Sequence, residues 1–124
     1  MSTLLLLHLI LGEQDKKYRG VDKMASLKAG FIFVAPEADY KKNRAVVATP
    51  VVELTVVGCK DYADAVTTAK EMVAEGIGAI ELCAGFGVIG TAEIKKAVGD
   101  KAVVGAVRFD NHPGLEFKSG DEIF

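Results

Sequence analysis

The chain has no tryptophan, three prolines, two histidines and two cysteines in 124 residues. Two cysteines exclude a disulfide-dense secreted scaffold. Cys59 and Cys83 each end an apolar strand-like segment, which reads as a buried or site-edge thiol of a reduced, cytoplasmic protein. The histidines and cysteines follow neither a Cys-x2-Cys nor a His-Glu-x-x-His spacing, so neither a metal nor a cofactor is expected. Charge is balanced, with 15 basic against 17 acidic residues, a net charge of -2 and a pI near 5.7. No basic stripe is interleaved with aromatics, and Lys41-Lys42-Asn43-Arg44 reads as a solvated loop, so no nucleic-acid partner is expected. The apolar run Leu4 to Leu11, broken by His8, is too short to span a bilayer. It also lacks the positive lead and small-residue cleavage site of a signal peptide, so no membrane partner is expected.

What is present is a one-domain chain, half apolar and about a quarter charged. Residues 1–23 read as an extension or an upstream-start segment, with Met24 the natural start, and residues 24–124 as a single α/β domain. Ala29 to Ala35 and Val51 to Gly58 read as strands, with Ala45 to Thr49 a short edge strand or an approach to the second. Asp61 is placed to cap a helix that stops at Gly76, with Ala65, Val66, Ala69, Met72 and Val73 on its packing side. Ile77 to Cys83 reads as a buried strand. Thr91 caps a shorter helix ending at Gly99, and Ala102 to Val107 is the last strand before a polar tail. The pattern predicts a small single-layer, mostly parallel sheet of about four strands with two crossover helices. Two helices leave one sheet face under-covered, which predicts completion by oligomerisation, as a homo-oligomer.

In open parallel sheets the ligand crevice lies at the carboxyl ends of the strands. That rule gathers Cys59, Glu81, Cys83, Arg108, Asp110 and His112 at one end. Alternation puts Glu81 and Cys83 on one face of their strand. Glu81, Cys83 and His112 are therefore the candidate catalytic groups, as base, nucleophile and acid–base partner. Arg108 and Asp110, with Gly85, Phe86 and Gly87, are the candidate ligand-binding residues. Arg108 would anchor an anion, or pair with Glu81. The glycines, with Gly90, would present amides and a helix N-terminus to the ligand. Their spacing is not a Rossmann fingerprint or a P-loop. Each residue has a plainer role: a structural Glu81–Arg108 ion pair, a buried Cys83, an exposed turn histidine, glycines that only let the chain turn. Phe86 would line the pocket or plug it.

Lys28-Ala-Gly-Phe-Ile-Phe-Val-Ala-Pro36, Val52-Glu-Leu-Thr-Val-Val-Gly58, Ala79-Ile-Glu-Leu-Cys-Ala-Gly-Phe-Gly87, Val107-Arg-Phe-Asp-Asn-His-Pro-Gly114 and Lys118-Ser-Gly-Asp-Glu-Ile-Phe124 together resemble the domain-of-unknown-function 6506 family over roughly residues 25–124. The resemblance implies the domain boundaries and no activity. The expected function is binding of a small anionic metabolite at the strand carboxyl ends, by a cofactor-free lyase or isomerase. The competing expectation is a non-catalytic binding or assembly module whose C-terminal tail docks on a neighbour.

Overall fold

The computed structural model describes residues 27–124. The reading of residues 1–23 as an extension lies outside the described residues. Five strands form one sheet in the order β2-β3-β1-β4-β5: β1 (Leu27–Val34), β2 (Arg44–Ala48), β3 (Val52–Cys59), β4 (Ala79–Leu82) and β5 (Val103–Ala106). β1 pairs in parallel with β3 and β4, and β4 with β5, while β2 runs antiparallel to β3 at one edge. The sheet is thus largely parallel, as the alternation of strand and helix patterns implied. The short valine-rich segment before Pro50 is a full edge strand.

Helix α1 (Tyr62–Ala74) forms where the sequence placed it. Asp61 accepts the Asp64 amide at 2.8 Å, so its carboxylate satisfies one of the helix's four unpaired N–H groups. The helix ends at Glu75, and Gly76 follows with φ of 91°, the left-handed stop that glycine takes without strain. Ala65, Ala69 and Met72 are buried as expected, joined by Tyr62 and Thr68. Helix α2 spans Val88–Val98 and begins three residues before Thr91, the residue expected to cap it. Gly87 occupies the N-cap position and offers no side chain. The cap comes from Asp121, in the C-terminal tail.

Both crossovers, β3-α1-β4 and β4-α2-β5, step in the same direction along the sheet. With the usual right hand, α1 and α2 lie side by side on one face. Beneath them Ile32, Val57, Ile80, Leu82 and Phe86 are fully or almost fully buried, together with Met72 and Ile94 from the helices. The opposite face carries the alternate residues. Phe31 sits between Val56 and Glu81, and Glu81 sits beside Gly105. Phe31, Phe33, Leu54 and Val56 there are only half-buried. Among the described residues, no helix is long and apolar enough to cross a membrane.

Candidate functional site

The crevice rule points at the gap between β1 and β4, because the chain leaves their carboxyl ends in opposite directions. The chain fills that gap itself. Val34 at the end of β1 lies against Gly85 in the turn after β4. Phe86 is completely buried and stacked on Tyr62, with ring centroids 5.3 Å apart and planes within 14°. Phe86 therefore belongs to the core and is no pocket wall.

The tail closes the gap from above. Ser119 and Glu122 form a reciprocal capping box around the single turn Gly120–Glu122. That turn delivers Asp121 to the start of α2, where its carboxylate accepts the amides of Ile89 and Gly90, each at 3.0 Å. The Tyr62 hydroxyl donates to the same carboxylate at 3.0 Å and accepts the Gly87 amide at 3.0 Å. The helix N-terminus thus holds an anion supplied by its own chain. A Cβ at Gly87 would fall on the Asp121 carboxylate, and one at Gly120 on the Gly85 carbonyl. These glycines serve close backbone and side-chain approach.

Two pKa shifts record this knot. Burial is the main influence raising the Tyr62 phenol, to about 12, with the Asp121 charge adding to it and the Gly87 amide opposing. For Asp121, partial burial alone would raise the carboxyl. The amides of Ile89 and Gly90, the Tyr62 hydroxyl and the Val88 amide outweigh it and hold the group below the usual aspartate value. The fully buried Cys59 thiol is pushed up, chiefly by burial and against its hydrogen bond with Thr68 at 3.3 Å.

The expected cluster is spread over different contacts. Glu81 is exposed on the open face and lines a cleft of about 260 Å³ with Leu82, Gly105, Ala106 and Val107. Arg108 does not pair with Glu81: its Nε donates to Asp110 at 2.8 Å, and both side chains are well exposed. His112 and Asp110 do not form a hydrogen-bonded pair either. The His112 Nδ1 accepts the Gly114 amide at 3.0 Å, its ring tilts against Phe109, and its backbone bridges to Lys118. Cys83 is partly buried, and its Sγ accepts the Gly85 amide at 3.2 Å. Neither Arg108 nor His112 lines the Glu81 cleft. Among the described residues, no group of three or more His, Cys, Asp and Glu is placed to hold a metal ion.

A larger groove, about 500 Å³, opens at the carboxyl ends of β1 and β3. Ala38, Asp39, Tyr40, Lys41, Lys60 and Asp64 line it. Its loop is held closed: the Asp39 amide donates to Asn43 Oδ1 at 2.7 Å, the Asp39 carboxylate takes the Lys41 amide at 2.9 Å, and the Asn43 carbonyl accepts the Gly58 amide at 2.8 Å. The Lys60 ammonium lies 3.7 Å from Asp64, and the Lys41 ammonium 5.9 Å from its neighbour Tyr40's ring centroid. Sequence reasoning gives Lys41 to a solvated loop and passes over Lys60. Lys60 carried a signal, since it directly follows the end of β3.

The family described as "Family of unknown function (DUF6506)" matches residues 27–122, which is nearly the whole described domain. The chain belongs to the DUF6506 family. No curated protein and no solved structure matches the chain. The match spans every strand of the sheet, both helices and the Asp121 turn.

Proposed function

We propose that this DUF6506 protein binds a small anionic metabolite at the carboxyl ends of β1 and β3, in the groove between Lys41 and Lys60. The observation that carries the reading is the groove itself. At about 500 Å³ it falls within the range of small-molecule sites, roughly 300–1,000 Å³, whereas the Glu81 cleft at about 260 Å³ falls below it. Lys41 and Lys60 both line it, beside Tyr40. The Asp39 carboxylate is turned into its own loop. The Lys60–Asp64 pair is a surface i, i+4 contact, with Lys60 exposed and Asp64 half-buried, worth only about 0.3–0.5 kcal/mol, so a ligand carboxylate or phosphate can displace it. The amides that start α2 are not available for this purpose, because Asp121 occupies them.

A thermal-shift screen against a pool of metabolites tests the reading, since binding to the folded form raises apparent stability. Ligands with carboxylate or phosphate groups should raise the melting temperature of the native protein. Lys41→Ala and Lys60→Ala should each weaken that binding by about tenfold or more, the order of one charge-assisted hydrogen bond. A ligand shift that survives both substitutions would place the site elsewhere.

A further inference from the structure

We infer that the open face of the sheet is the interface through which two copies of this chain form a symmetric dimer. α1 and α2 cover the other face, so the alternate strand residues have no layer of the described fold above them. They are apolar across all five strands: Val47 on β2, Leu54 and Val56 on β3, Phe31 and Phe33 on β1, with Ala79 on β4 and Val103 on β5. Glu81 is the one charged side chain among the strand residues of this face. It sits near the carboxyl rim, beside Gly105, whose missing side chain would meet nothing within 4 Å. Its carboxylate therefore has space through which to stay hydrated when the rest of the face is covered, which avoids the cost of burying a lone charge.

The size of the face selects the occupant. Five strands about 4.8 Å apart, with the central ones about 26 Å long and the edges shorter, give a projected area of about 400 Å². Roughened by its side chains, that area brings two facing copies to about the 1,200 Å² total at which specific interfaces begin. The apolar run Leu4–Leu11 is too small to be the cover. Eight residues span about 12 Å by 10 Å as a helix, or one strand's width when extended, close to 120 Å² in either form. A second copy presents a face of equal size and like character, and two such sheets pack about 10 Å apart with their side chains interleaved.

Sedimentation velocity on the full chain at about 50 µM tests the inference, with a dimer of twice the 13.2 kDa chain mass expected. Neighbouring residues on β2 supply the controls. Val47 is 59% exposed on the open face, and Val46 is 57% exposed on the opposite one. The double variant Val47→Asp/Val103→Asp, with Val103 67% exposed on the far edge, should raise the dimer dissociation constant by at least about tenfold. Val46→Asp should leave it unchanged. Circular dichroism confirms that each variant is folded, and either single substitution carries the test if the double one unfolds. A monomeric full chain overturns the inference. So does a dimer that survives the open-face substitutions, or one that Val46→Asp breaks equally well.

Discussion

Replacing Asp121 with alanine should destabilise the whole domain, although the residue lies three positions before Phe124 on a polar tail. Helix α2 has no cap of its own, since Gly87 has no side chain to offer. Asp121 supplies that function from 31 residues away, taking the amides of Ile89 and Gly90 at 3.0 Å each. Loss of an N-cap costs about 1 kcal/mol, and loss of the favourable charge at the helix N-terminus adds about 0.3–1 kcal/mol. Tyr62 then loses the acceptor of its hydroxyl, leaving only the Gly85 carbonyl at 3.5 Å, a further cost of about 1 kcal/mol. The sum is about 2–3 kcal/mol, a large part of the roughly 5–15 kcal/mol typical of a domain. Urea unfolding followed by circular dichroism should show a lower midpoint with an unchanged slope. Asp121→Asn keeps an acceptor but not the charge and should fall between. In a double-mutant cycle, Tyr62→Phe and Asp121→Ala should couple by more than about 0.5 kcal/mol, because they share one hydrogen bond. An Asp121→Ala protein within about 0.5 kcal/mol of the native one would mean that the tail does not hold α2 in solution.

The same knot sets two pH dependences. The folded Asp121 carboxyl is depressed, so its contribution is fully present above the unfolded aspartate value, near 3.9, and is lost as pH falls through the folded value. The stability difference between native protein and Asp121→Asn should therefore shrink below about pH 4 in acid titrations. Tyr62 is the converse case: its raised phenol contributes stability that is complete below the unfolded value near 10 and is lost as pH rises through about 12. Ultraviolet difference titration against Tyr62→Phe should show this tyrosine ionising only near pH 12 or on alkaline unfolding. Phe86→Ala should cost about 3–5 kcal/mol, because the ring is fully buried and stacked; a loss below 1 kcal/mol would return Phe86 to a pocket wall. A thiol reagent should modify Cys83 in the native protein and reach Cys59 only after denaturant is added, since Cys59 is fully buried with its thiol pushed up by burial.

The sheet and α1 were legible because their signals are local. Asp61 and Asp64 lie one turn apart, Gly76 stands at the stop, and the valine-rich runs alternate or stay apolar throughout. The start of α2 was not legible, because its cap lies in another part of the chain. Thr91 was the nearest residue able to do the job, and Asp121 offers no local sign that it belongs there. The same distance hid the fate of the tail, which docks on its own domain, with Phe124 6.0 Å from Tyr62 between ring centroids. The glycines Gly85, Gly87 and Gly90 were read for the amides they expose. Their contacts show the other use of glycine, room for Val34, the Asp121 carboxylate and the Tyr62 ring. For the proposed site, the strand-end rule points to the same end of the sheet but to other side chains. Strand alternation offers Glu81 to Arg108 as an alternative to an anionic ligand, yet β5 ends at Ala106, and beyond the ladder a carboxylate two residues away is the closer partner. Lys41 sat in a cluster that reads as solvated loop until Asn43 and Asp39 are seen to close that loop into a groove wall.

Because Asp121 already occupies the amides that start α2, the proposed anion site is the groove between Lys41 and Lys60. Amide chemical shifts followed by NMR during titration with inorganic phosphate, then with a small dicarboxylate, test it directly. Movement should concentrate at Tyr40, Lys41 and Lys60 and leave Val88, Ile89 and Gly90 in place. Movement concentrated at Val88 to Gly90, with the Asp121 resonances shifting alongside, would contradict it.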